Sequence, residues 1–352
     1  MGLELGNAFQ DCRGPRGRGL SRLSDVRDVH RNAEWTGVLL LVGAALLWSL
    51  NGALIKLLVQ GDHGPHGVTI AFYRSLFAGL FLLPLAWGRF QTLIRPATPE
   101  SNPLNQAPSA LARPGLSLLA VFPSLFSLRP AALICVFLFT LMTACFVMAN
   151  TLTESANAII LQYTSTFWIF LLSPWLLKEK PDRGDLWLLG VAMLGIAVIF
   201  GGQASTHLPG LVIALLSGLF FGLLTVCIRQ MRDSNPAAVT VMNNLGSAVL
   251  LLPAVLWLDT LMLDRRTFYL LLFMGVVQFG VPYYFYTLGL ARIPAYRAAL
   301  ITLLELVLNP LWALLAVGEK PPVTTLIGGA LVLAALVVIL RGSAHTRSNE
   351  RR

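Results

Sequence analysis

Charged side chains are scarce in this sequence. They make up 12% of its 352 residues, about half the soluble average, while 56% of the chain is apolar. A chain so poor in charge cannot clothe a water-soluble domain, and it reads as an integral membrane protein. Histidine is rarer still. All five, His30, His63, His66, His207 and His345, fall outside the long apolar runs, leaving no imidazole at membrane depth for metal or base chemistry. Asp62, His63 and His66 lie close in sequence but lack a spaced fourth ligand, so no metal site is expected. The four cysteines, Cys12, Cys135, Cys145 and Cys227, have neither metal spacing nor a disulfide framework and read as small packing residues. A Gly-rich phosphate loop ending in Lys-Ser/Thr is missing, which argues against ATP-driven chemistry, and no cofactor is expected.

What the chain has is apolar length. Ten segments stand out, at about 36–59, 67–87, 130–149, 155–177, 185–201, 208–228, 237–258, 267–290, 295–317 and 322–341. Each is expected to be a helix, because lipid offers the backbone no partners. The Pro-, Asn- and Ser-rich connection from Arg89 to Arg129 reads as a loop, its apolar end at 115–128 being too short to span. The first 33 residues are polar and rich in arginine without an apolar core, so the first apolar segment, rather than a cleavable signal, is expected to direct insertion.

Charge placement orients the chain. With the amino terminus inside, 21 of the 26 lysines and arginines fall on inner segments and only Arg265, Arg266 and Lys320 on outer loops, while Lys56 and Arg74 lie within spans. Both termini are therefore expected in the cytoplasm, with the protein in the cell membrane. The net charge of +9 belongs to those inner loops, and no nucleic-acid partner is expected.

The stretch from Pro294 to Pro321 carries Glu305 near the centre of an apolar run. A carboxylate at mid-membrane costs about 3 kcal/mol, so Glu305 should face protein or a cavity. Ala298, Thr302, Glu305, Asn309 and Trp312 recur at steps of three and four, forming one polar-to-small stripe. The stretch also has an earlier counterpart. Moved back 140 positions, Glu319-Lys320-Pro321 becomes Glu179-Lys180-Pro181, Ala298 becomes Ala158, Thr302 becomes Gln162 and Glu305 becomes Ser165. Trp48-Ser49 likewise answers Phe221-Gly222, Lys56 answers Arg229, and Leu82-Leu83-Pro84 answers Leu251-Leu252-Pro253. Two halves of five spans must enter the membrane in opposite senses, so the expected fold is all-α: ten transmembrane helices as two inverted five-helix repeats, an arrangement common in secondary transporters. The expected organisation is a basic tail over 1–34, a first repeat over 35–202 containing the 89–129 insertion, a second repeat over 203–341, and a tail over 342–352.

The ten spans, the Trp48-Ser49 pair, the Arg74 position in the second span and the Glu-Lys-Pro turns after spans four and nine resemble the EamA-type members of the drug/metabolite transporter superfamily. The resemblance covers about 35–340. It implies transport of small metabolites or drugs, often outward and often proton-linked, through a cavity built mainly by spans one, three, four, six, eight and nine. The partners expected are a small-molecule substrate and the lipid bilayer, with the chain a monomer or homodimer.

The candidate substrate or proton pathway residues are Trp48 and Asn51 in span one, Arg74 in span two, Gln162 and Ser165 in span four, Gln278 and Tyr283 in span eight, and Thr302, Glu305 and Asn309 in span nine. Glu305 can exchange a proton or contact an amine on the substrate, or it can be a structural carboxyl tying helices together. Arg74 can pair with Glu305, bond to carbonyls, or snorkel to the outer headgroups, and Lys56 reads as snorkelling. The tyrosines 283, 284 and 286 can line a cavity or pack. Spans five and ten hold no polar side chain in their cores and are expected outside, with Ala330 and Ala334 suited to close helix contact. Two other readings stand beside an exporter. A nucleotide-sugar or phosphate-ester transporter would want several cavity cations, and a membrane-embedded enzyme would want paired acids or a nucleophile with a base.

Overall fold

Helices are the only regular elements among the described residues, which are 16–59, 64–87, 130–153, 155–201, 208–258, 260–317 and 323–349 of this computed structural model. In order they are α1 (Arg16–Trp48), α2 (Asn51–Val59), α3 (Gly67–Ala86), α4 (Pro130–Leu152), α5 (Ser155–Gln162), α6 (Ser165–Leu172), α7 (Arg183–Gly201), α8 (Leu208–Gln230), α9 (Pro236–Trp257), α10 (Arg265–Phe273), α11 (Val281–Leu290), α12 (Ala295–Thr302), α13 (Leu304–Val317) and α14 (Val323–Asn349). Seven helical stretches among the described residues are long and apolar enough to cross a membrane: 32–58, 67–86, 130–152, 157–177, 208–230, 236–257 and 265–290. Helices α7, α12 with α13, and α14 stand at the other three expected positions. The insertion at 89–129, Asp62, His63 and the second Glu-Lys-Pro turn lie outside the described residues. Helix α1 begins at Arg16, within the basic tail, and runs unbroken into the apolar segment.

The surface accounts for the composition. Leu39, Phe81, Phe137, Trp187, Trp257 and Leu315 point outward, an apolar belt that only lipid solvates without penalty. Local chemistry starts the helices between them. Asn235 caps α9 by accepting from the backbone of Ala237 and Ala238 at 3.1 and 3.2 Å, with Pro236 at the first helical position, where its missing N–H costs nothing. Asp264 caps α10 in the same way, and the bonds it accepts hold its carboxyl below the usual range, the Thr267 side chain foremost.

Four of the expected spans are interrupted rather than continuous. Span one breaks at Ser49 and Leu50, span four at Tyr163 and Thr164, and span nine at Leu303. Span eight passes through a π-helical stretch, Met274–Gly280, immediately before Pro282, whose ring and missing N–H disturb the ladder there. Threonine hydroxyls help hold two of the breaks, Thr164 donating to the Leu161 carbonyl at 2.6 Å and Thr302 to that of Ala299 at 3.0 Å. The breaks in spans four and nine fall 140 residues apart, the same shift that relates their sequences.

Packing follows a paired plan. Helix α3 lies along α9, α7 along α14, α4 along α8 and α1 along α11, while α5 and α6 rest on α8 as α12 and α13 rest on α1 and α2. The α7–α14 contact corrects the expectation for Ala330 and Ala334, which are both exposed. Gly195 and Gly328 make the close approach instead: a Cβ on Gly195 would sit 2.7 Å from the Gly328 carbonyl oxygen. Cys135 and Cys227 meet between α4 and α8.

Candidate functional site

The interrupted helices converge on one cavity holding about 360 Å³ of empty space, part of it open to solvent. Seven of the residues singled out from sequence line it: Trp48, Asn51, Arg74, Gln162, Gln278, Tyr283 and Glu305. Thr302, Asn309 and Ser165 do not, although all three are buried. Asn309 packs on α2, where its amide leaves no room for a side chain on Gly52. Of the stripe on span nine, only Glu305 reaches the cavity, and Trp312 at its far end is only partly buried.

Five lining residues were not anticipated: Met142, Thr143 and Phe146 on α4, Phe221 on α8 and Phe279 in the π-helical stretch. Four of them, Met142, Phe146, Phe221 and Phe279, give the cavity apolar and aromatic walls beside its polar groups. Trp48 meets Tyr283 with ring centroids 4.8 Å apart and Phe221 at 6.1 Å. Of the three tyrosines, Tyr283 lines the cavity, Tyr286 is fully buried and shares a 2.6 Å hydrogen bond with Thr225, and Tyr284 is only partly buried. Gln162 donates to the Ser217 hydroxyl at 2.9 Å, tying α5 to α8.

Glu305 lies in the first turn past the break in span nine, and Tyr163 from the break in span four reaches it. The Tyr163 hydroxyl lies 2.5 Å from Glu305 Oε2 and 2.8 Å from the Thr302 carbonyl oxygen. That carbonyl stands beside the break, because the Leu306 N–H turns to Leu303 instead, at 3.0 Å. A phenol has one proton to donate. If the phenol donates to the carbonyl, the contact with Glu305 is a hydrogen bond only when the carboxyl carries a proton and donates it. If the carboxyl is ionised, the phenol turns to it and the carbonyl loses its donor.

Of the three sequence readings of Arg74, the structure departs from pairing and from snorkelling. Arg74 is 2% exposed, so it does not snorkel to the surface, and it forms no ion pair with Glu305. The Phe279 ring instead covers its guanidinium, 4.3 Å from Cζ to the centroid. Lys56 lies in the last turn of α2, away from the cavity lining.

Below the cavity, at the ends of α6, α8, α11 and α12, a clamp appears that sequence gave no reason to expect. Arg229 pairs with Glu179 at 2.6 Å and also donates to the Leu290 carbonyl, while the Ala295 N–H donates to the other Glu179 oxygen at 3.0 Å. Glu179 follows Lys178, whose left-handed φ of 59° ends span four and aims the acid back at the bundle. The Glu-Lys-Pro turn is therefore more than a helix stop.

The EamA-like transporter family matches residues 35–201 and again residues 208–341. The chain belongs to that family. This EamA-like protein is 27% identical over 308 residues to the pseudopaline exporter CntI of Pseudomonas aeruginosa, strain UCBPP-PA14, a match covering 87% of this chain and 96% of that one. It is 29% identical over 204 residues to an uncharacterized transporter of Archaeoglobus fulgidus, covering 57% and 73% of the two chains. A crystal structure superposes with a TM-score of 0.64 at 17% identity, over 88% of this chain and 98% of that one, so the EamA-like fold is shared with it. An EamA-like chain of this kind is a multi-pass membrane transporter for a small molecule and not an enzyme.

Proposed function

We propose that this chain is a secondary transporter that exports a small organic solute from the cytoplasm in exchange for protons, with Glu305 as the exchanging group. In this reading the bundle has ten spans in two inverted halves and both termini cytoplasmic. The paired packing, the breaks 140 residues apart and the family's two matches along one chain support the inverted repeat. The exporter name of the Pseudomonas relative supports the direction.

The observation that carries the coupling is the geometry at Tyr163. Protonation of Glu305 leaves Tyr163 free to hold the Thr302 carbonyl at the break in span nine, and ionisation withdraws it. The charge state of one carboxyl is thereby linked to the conformation of a broken helix, which is what alternating access requires. The titratable or charged groups around Glu305 are Tyr163 by direct bond and Arg74 and Tyr283 across the cavity. The Arg229–Glu179 clamp ties helix ends on the side that this orientation places in the cytoplasm, and in this reading it opens for solute to enter from inside.

The test is transport by purified protein in liposomes, screened over a panel of small metabolites with and without an imposed proton gradient. Accumulation that follows the gradient supports the reading. Solute movement indifferent to the gradient contradicts the coupling.

A further inference from the structure

Arg74 is buried in the cavity wall with its Nε and Nη1 lacking any hydrogen-bond partner. A desolvated guanidinium is among the costliest groups to leave unsatisfied. The Phe279 ring covers one face of it, but a ring face cannot accept the in-plane N–H bonds of the fork. Around it, the Trp48 indole N–H is a second donor without a partner, and Asn51 Oδ1 and Gln278 Oε1 are acceptors without one. All of these residues line the same cavity as Glu305. The unmet donors gather about a single fixed positive charge.

We propose that Arg74 is the anion subsite of the transported solute, which carries a carboxylate that takes the guanidinium fork in its plane. The inference rests on the reading of this cavity as the substrate site. A carboxylate offers two oxygens at the spacing of the fork, and one negative charge balances the one arginine. A phosphate dianion fits less well, because Glu305 faces the same space and no other cation lines it among the described residues. The unpartnered acceptors on Asn51 and Gln278 fit hydroxyl or amine donors elsewhere on the solute.

The experiment measures thermal stability of the purified protein against acetate, lactate and benzoate, each beside its neutral amide, with chloride and inorganic phosphate as further arms. At saturating concentration at least one carboxylate should raise Tm by a few degrees, on the order of 2 to 4 °C, while its amide does not. Arg74→Gln should abolish that shift, and its ligand-free Tm should equal or exceed that of the wild type, since an unpaired buried charge has been removed. An arginine with only a structural role would give the opposite: a lower ligand-free Tm in Arg74→Gln. The proposal is overturned if no acid stabilises more than its amide, if the shift survives in Arg74→Gln, or if chloride or phosphate matches every carboxylate. Carboxylate-specific stabilisation alongside gradient-independent transport would uphold the subsite while contradicting proton coupling.

Discussion

Glu305 and Tyr163 form the contact on which the functional reading turns. Replacing Tyr163 by phenylalanine removes the donor of the Thr302 carbonyl and the partner of the carboxyl in one step. An unmet buried carbonyl costs about 1 to 3 kcal/mol, so Tm of Tyr163→Phe should fall. Its pH profile of transport should also shift relative to wild type, which a packing defect alone would not cause. A lowered Tm with an unmoved profile would reduce Tyr163 to a structural role. Glu305 itself was legible in the sequence because a lone acid in an apolar run has no ordinary explanation. Its partner was not, because a tyrosine in a membrane helix is common and only the paired breaks bring residues 163 and 305 together. Arg74 was open between pairing, bonding to carbonyls and snorkelling for the same reason: helix adjacency is not written in a single span.

Broken helices, more than whole ones, shape the cavity. The ends and apolar faces of the helices could be read from capping residues and hydropathy, but the interruptions at Ser49, Tyr163 and Leu303 carry no proline or glycine at the break to announce them. They are products of tertiary contact, as Gly218 illustrates. A Cβ there would lie 2.7 Å from the Leu161 carbonyl oxygen and 2.9 Å from that of Gln162, so α8 docks directly on the open backbone of the span-four break. Gly218→Val should therefore force the two elements apart and lower both Tm and transport, while Gly190→Val, whose Cβ would meet nothing within 4 Å, should leave both near wild type. Equal effects at the two glycines would sink this account of the break. The phenylalanines lining the cavity were unreadable on similar grounds, since by composition they match those that face lipid.

The Arg229–Glu179 clamp also belongs to this scale, because it ties together four helix ends. Breaking a largely buried pair from one side costs about 3 to 5 kcal/mol, whereas removing both charges costs less. Arg229→Gln should lower Tm markedly and the double variant with Glu179→Gln should recover part of the loss. Additive losses in the double variant would show that the two residues act independently. The turn motif at Glu179 is visible in the sequence, whereas its partner 50 residues away is not.

Across the whole molecule, the proposed orientation rests on the asymmetry of lysine and arginine. Single cysteines introduced at Ser101 and at His207, both outside the described residues, should label from opposite faces, the latter from outside. Labelling from one side would break the ten-span, inverted arrangement. The paired motifs, at shifts of 140, 169 and 173 residues, were legible in the sequence, and the breaks in spans four and nine fall at the first of these shifts. What sequence could not convey was the ion pair that ties helix ends together on one side of the bundle.

Proton movement is the most direct test of the central claim. Proteoliposomes loaded with a pH-sensitive dye and a transported solute should show proton flux in the direction opposite to the solute, in wild-type protein and not in Glu305→Gln. That variant should still bind the solute and exchange it across the membrane, because the amide keeps the size of the carboxyl and can bond to Tyr163. Solute-linked proton flux that persists undiminished in Glu305→Gln would contradict the account.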